Sequence, residues 1–192
     1  MSYETAVSDV APSPRIALSG TPGKSWILWP QTKSTADRAA GVTFARLSPA
    51  RAEAWARSLG GRLPTLEEAR AAVGSAEAIV SAFAAWPTLA TMRDREAAAW
   101  WDQRLAKALA YVPTSQPVFA AKGWLALSPW NPPDGHAPRL PAAERSENWG
   151  AWRRDGRPLE LIQPGGWGSQ DHDRAWTDYS QIPLAIFDAP PP

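Results

Sequence analysis

The densest run of side chains able to move a proton lies near the end of the chain, from Ile162 to Gln181. Within it stand Asp171, His172, Asp173, Asp178, Tyr179 and Ser180, preceded by Gly165, Gly166 and Gly168. Histidine titrates closest to neutrality, and a His held by a carboxylate is the usual general acid or base. Asp178 is the natural carboxylate to orient His172, with Tyr179 and Ser180 as polar partners. Two readings compete. In one, the run is a glycine-rich loop stapled by its own side chains, with His172 and Asp178 satisfying buried backbone groups. In the other, His172 faces a cleft and does acid–base work.

Other chemistries fit less well. A Ser–His–Asp arrangement can be written with Ser180, His172 and Asp178, but no Gly-x-Ser-x-Gly elbow surrounds Ser180. His172 with Asp171 and Asp173 supplies metal-ligand types, yet sequence neighbours converge poorly on one ion, and His136 lies in a separate Pro-rich stretch. No metal and no other cofactor is therefore expected. The stretch from Gly20 to Ser25 ends like a phosphate-binding loop but lacks its full spacing and flanking elements, so it reads as a turn. The absence of Cys removes thiol nucleophiles, disulfides and iron–sulfur clusters.

Composition leaves two uses of Trp in competition, with most of the rings expected in the core. Twelve Trp occur among 192 residues, in a chain whose Arg, Ala, Pro and Gly content is that of a GC-rich genome. Large rings either fill a core or form flat platforms for sugars and other apolar faces. Trp26, Trp29, Trp55, Trp101 and Trp124 fall on segments expected to be buried, whereas Trp149, Trp152, Trp167 and Trp176 crowd the segment around His172. Those four, with Gln163, are the expected substrate-binding residues; Lys122 joins His172, Asp178, Tyr179 and Ser180 as a catalytic candidate. A formal charge of +1 carries no polyelectrolyte signature, so neither nucleic acid nor an anionic membrane is an expected partner. Arg153, Arg154 and Arg157, beside Trp149 and Trp152, read as a solvated hairpin rather than a stacking groove.

Local patterns supply the elements that must hold these residues. Ser25 to Trp29 is an apolar strand, and Val42, Phe44 and Leu47 mark a second. Ser48 is an N-cap with Pro49 at the first helical position, and the helix from Ala50 to Leu59 stops at Gly60-Gly61. Thr65 and Glu68 form a capping box that opens a second helix running to about Gly74. The Ala-rich stretch 75–86 suggests a third helix, ended by Pro87. A fourth, from Arg93 to Tyr111, places Ala97, Trp101 and Leu105 on one face and Asp102 elsewhere. Lys122 to Leu127 is a strand, Pro129 to Pro141 a long surface loop, and Asp155-Gly156 the turn of a hairpin between Asn148–Arg153 and Arg157–Gln163. Pro183 to Phe187 is a closing strand. The class is α+β, with helices in the middle of the chain packed on a mainly antiparallel sheet. Residues 23–188 form one domain between a flexible N-terminal segment, 1–22, and a Pro-rich tail, 189–192. No secretory leader or spanning segment is evident, which suggests a cytoplasmic or phage-encoded product.

Two resemblances rest on these residues. Ala52 through Glu68, with Gly61-Arg62-Leu63-Pro64-Thr65 at its centre, resembles the helix pair of formylglycine-generating and C-type-lectin-like domains. The later signature and the cysteines of that family are absent, so its oxidase activity is not implied. More broadly, Leu63-Pro64-Thr65, Lys122, Trp149-Gly150, Gly156, Ile162-Gln163-Pro164 and the closing run from His172 to Ser180 are similar to a family of functionally uncharacterised bacterial proteins. That family closes with His-x-x-x-Trp-x-Asp-Tyr-Ser-His. Here its final His is Gln181, and its His beside the Lys aligns with Ala121. The resemblance implies a shared fold and a shared site, with altered or lost activity if those histidines take part in chemistry.

The expected function is action on a cell-envelope glycan or peptidoglycan-like polymer, as a hydrolase with a Trp-lined His–Asp site. The alternative is a non-catalytic binding or structural module, of a phage or secretion apparatus, using the same surface.

Overall fold

A computed structural model describes residues 3–75, 78–80, 95–109, 118–120, 122–129, 137–150, 167–177 and 181–192. Strand β1 (Val10–Ala11) pairs antiparallel with β3 (Gln31–Thr32), and β2 (Ser25–Ile27) pairs antiparallel with β9 (Ala185–Phe187). Helices α1 (Thr35–Ala39), α2 (Pro49–Ser58), α3 (Leu66–Ser75) and α4 (Arg95–Leu109) occupy the middle of the chain. Strand β4 (Ala78–Val80) pairs parallel with β5 (Val118–Ala120), while β6 (Lys122–Leu125), β7 (Arg145–Gly150) and β8 (Trp167–Asp173) form an antiparallel sheet in that order. The architecture is α+β with mainly antiparallel pairing. No helix among the described residues is long and apolar enough to cross a membrane.

Helix α2 shows how the sequence sets its own boundaries. Pro49 lacks the N–H that the first turn would leave unpaired, and its fixed φ suits that position. Ser48 precedes it in an extended conformation, but its side chain makes no capping bond; its backbone N–H instead donates to Glu4 Oε1 at 2.7 Å. At the other end Gly60 adopts φ +79°, and the N–H groups of Gly60 and Gly61 reach back to the carbonyls of Arg57 and Ala56. This pairing satisfies the last carbonyls and needs a glycine at the left-handed position. Ala52, Trp55 and Ala56 lie at helical spacing and are buried in a core shared with Ile27, Leu47, Leu63, Trp124 and Phe187. Burying large apolar side chains of this kind stabilises by about 1.5–3 kcal/mol each. The capping box of α3 forms as the sequence indicates, Glu68 N–H to Thr65 Oγ1 at 3.2 Å and Thr65 N–H to Glu68 Oε2 at 2.9 Å.

Several expectations are revised. Ala78–Val80, expected within a third helix, is a strand, because β-branched Ile79 and Val80 find a partner in β5. Val42, Phe44 and Leu47 are buried as expected, but only a single bridge, Phe44 to Gln31, forms there. The stretch is held instead by Asp102, which accepts from the N–H groups of Thr43 (2.7 Å) and Phe44 (2.9 Å) and pairs with Arg46. Asp102, off the apolar face of α4, is thus buried as well. The N-terminal segment expected to be flexible packs on the domain: Thr5, Val10 and Leu18 are buried, and Thr5 N–H donates to the Arg46 carbonyl at 2.8 Å. Trp26, Trp55, Trp101 and Trp124 are buried as expected, whereas Trp29 is half-buried, its ring 5.2 Å from that of Phe44. The turn and second strand proposed around Asp155-Gly156 lie outside the described residues.

The C-terminal segment from Gln181 to Phe187 is buried throughout. Ile182, Leu184, Ala185 and Ile186 are essentially inaccessible. Ile186 exchanges both backbone hydrogen bonds with Arg62 (3.0 and 2.9 Å) while facing Trp26 across β2. Ile182 bridges Gly123 on β6, and a Cβ at position 123 would fall 2.6 Å from Leu184 Cδ1. A strand Gly→Ala change ordinarily gains up to about 1 kcal/mol by restricting the unfolded chain. Here overpacking outweighs it, and Gly123→Ala is expected to destabilise by about 1–3 kcal/mol. Urea denaturation checks this; an alanine variant as stable as the parent would contradict the close packing.

Candidate functional site

The β6–β7–β8 sheet brings residues from distant parts of the sequence into adjacent rows. Lys122, Gly150 and Trp167 form one row, and Gly123, Trp149 and Gly168 the next. Beyond a register irregularity between Ser146 and Asn148, His172 stands opposite Ser146 and Asp173 opposite Arg145. His172 therefore belongs to a strand, not to a glycine-rich loop as the sequence suggests. The segment from Trp167 to Asp173 is a strand because β7 pairs with it on both sides of that irregularity. Trp176 is half-buried in the stretch after β8. Trp152, Gln163, Asp178, Tyr179 and Ser180 lie outside the described residues, as does Ala121. Gln181 is buried, with 2% exposure, at the start of the C-terminal segment.

Ser146 lines a cleft of about 490 Å³ between α2 and this sheet. Helix α2 contributes Pro49, Glu53 and Arg57, and the connection to α3 contributes Arg62, Leu63 and Thr65. Leu125, Ala126 and Leu127 form the facing wall with Ser146, and Arg174 joins them from the turn after β8. Backbone bonds close the corners: Ala126 N–H to the Pro64 carbonyl at 2.9 Å, Ala50 N–H to the Arg174 carbonyl at 3.2 Å, and Arg174 N–H to the Glu144 carbonyl at 2.9 Å. His172 thus holds a register position beside a residue of the cleft wall. Glu53, Arg57, Arg62, Arg174 and Ser146 are the cleft residues that sequence reasoning missed. Only the Glu53–Arg57 pair, four apart on a helix, carried a local signal.

Charge in the cleft is organised around Glu53, which lines it, and around Glu68 and Asp188, which hold the lining Arg62 from behind. Glu53 accepts from Arg57 Nη2 at 2.6 Å through one oxygen and from Arg174 Nη2 through the other. Arg62 commits all five of its N–H groups, to the Leu63 carbonyl, to both oxygens of Glu68 and to both oxygens of Asp188. Lys24 also pairs with Glu68 and Asp188. Among the described residues, no three groups of His, Cys, Asp and Glu gather as a metal site would require. No protein-family model, curated protein or solved structure matches the chain.

Burial pushes the Glu68 carboxyl up, but hydrogen bonds from Arg62, Lys24 and the Thr65 N–H outweigh it and set the pKa at about 2. Hydrogen bonds from Arg62 and then Lys24 likewise lower Asp188. A carboxyl whose folded pKa is depressed stabilises the fold above its unfolded value, here 4.5 for Glu68, and that stabilisation fades as pH falls towards about 2. The urea midpoint is therefore expected to drop between about pH 5 and pH 2. In Glu68→Gln the drop should be smaller. An identical pH dependence in the two proteins would show that this network does not anchor the cleft wall.

Proposed function

We propose that the protein binds a cell-envelope glycan or peptidoglycan-like polymer and hydrolyses it with His172 as the acid–base group. The observation that carries this reading is the strand register, which sets Lys122, Trp149, Trp167 and His172 on three adjacent strands with His172 opposite cleft-lining Ser146. In this reading Trp rings take the apolar faces of sugars. Lys122 is a polar partner of the ligand, and His172 accepts a proton from water and returns it to the leaving group. Asp178, six residues on, orients the imidazole, and Tyr179 and Ser180 complete the polar surroundings. Release of soluble fragments from purified sacculi or a polysaccharide measures the activity. His172→Ala should lower turnover by about 10²- to 10⁴-fold while polymer binding persists. Undiminished turnover in that variant would remove His172 from the mechanism.

A second reading, a non-catalytic binding or structural module of a phage or secretion apparatus, has its own support. Glu53, the carboxylate lining the cleft, is held between two guanidinium groups, so it is a poor candidate for one member of a glycosidase acid–base pair. Saturable quenching of Trp fluorescence by the polymer, with no product released, would favour this reading over hydrolysis.

A further inference from the structure

We infer that Arg57 and Arg174, held by Glu53 between them, form a binding site for one monoanionic oxyanion, a carboxylate or a phosphodiester. The anion would be carried on a ligand whose body lies against the apolar wall of the cleft. The two guanidinium groups come from unrelated elements, α2 and the turn after β8, and meet on the two oxygens of one carboxylate. Each spends one Nη2 donor on Glu53, which leaves Nε and Nη1 of both without a partner among the described residues. Arg174 is fixed at its backbone by Glu144 and Ala50, so its side chain departs from a set point. Planar guanidinium donors of this kind match carboxylate and phosphate oxygens in pairs.

Charge decides the class of ligand. Among the described residues that line the cleft, Arg57 and Arg174 against Glu53 leave one positive charge. The remaining cleft cation, Arg62, is neutralised outside this centre: with Lys24 it faces Glu68 and Asp188, two cations against two carboxylates. A ligand with a single negative charge completes the balance, whereas a dianionic phosphate monoester overshoots it. Fold stability gives little reason for Arg57 beside Arg174, because Arg57 is largely exposed and surface ion pairs contribute little. Pro49, Leu63, Leu125 and Leu127 line the same cleft and offer an apolar surface beside the charged one. The site goes beyond the hydrolytic reading and stands whether or not His172 is catalytic.

The test is a binding titration of the full chain with two probes, N-acetylmuramyl dipeptide for the carboxylate and glycerophosphoglycerol for the phosphodiester. The muramyl dipeptide with its carboxylate amidated is the uncharged control. At least one charged probe should bind saturably, more weakly as salt rises, with the amidated control weaker by roughly tenfold or more. Arg57→Gln and Arg174→Gln should each weaken the bound probe by roughly tenfold. Both side chains reach solvent, so unchanged thermal melts keep the comparison free of folding effects. Glu53→Gln, which removes the competing negative charge, should tighten binding. Preference for one probe identifies the anion as carboxylate or phosphodiester. Failure of both probes to saturate, or full binding in the Arg57→Gln/Arg174→Gln double variant, overturns the site. Probe binding without polymer turnover leaves the anion site standing and removes only the hydrolytic reading.

Discussion

The constraint on which the rest depends is the backbone pairing of the C-terminal segment. Residues 182–187 are buried on every side, and buried N–H and C=O groups must find partners or lose the hydrogen bonds that water supplied. Ile186 finds them on Arg62, the first residue of the α2–α3 connection to line the cleft, and Ile182 bridges Gly123 on the sheet that forms the opposite wall. The two walls are therefore registered to one short, inaccessible stretch of chain. The direct bond from Ala126 to Pro64 repeats the tie at the cleft itself. Apolar burial provides the driving force, but these backbone pairings decide which residues face each other.

A second buried arrangement fixes where α2 begins. Arg46 and Asp102 are both inaccessible, and burial of charge is costly unless every polar atom is matched. Asp102 takes the N–H groups of Thr43 and Phe44 as well as the Arg46 guanidinium, and Arg46 also donates to the Phe44 carbonyl at 2.9 Å. Residues 43–46 need this help because a single bridge is their share of sheet pairing. Removing one member of such a pair leaves an uncompensated charge, a cost of about 3–5 kcal/mol, far above that of an exposed pair. The segment entering α2 is thereby clamped to α4, and with it the helix that presents Glu53 and Arg57.

Local rules made much of the fold legible. Pro49, Gly60 and the Thr65–Glu68 box act within a few residues, so the ends of α2 and the start of α3 could be read directly. The apolar face of α4 was legible for the same reason, through Ala97, Trp101 and Leu105. What escaped were features settled by distant partners. Asp102 sits in an ordinary helical pattern, and its burial is made tolerable by Arg46 and the N–H groups of Thr43 and Phe44, some sixty residues away. Ala78–Val80 lies in a stretch whose alanines favour helix, and β5, some forty residues on, makes it a strand. The polar run around His172 was visible as composition, but its placement on β8 depends on β7. The cleft was illegible because Glu53 and Arg174 are separated by most of the chain.

The cleft now joins two kinds of surface that the sequence presented separately: an apolar wall from the core-forming segments, and a cationic edge built from α2 and the turn after β8. His172 stands in register opposite Ser146 of the cleft wall. The most direct measurement is a backbone amide NMR titration of the full-length protein with soluble peptidoglycan fragments. The amides of Leu63, Ala126, Ser146, His172 and Arg174 are expected to shift together and saturate at one ligand concentration. Saturable shifts confined to other parts of the molecule, with these five unmoved, would contradict binding at the cleft.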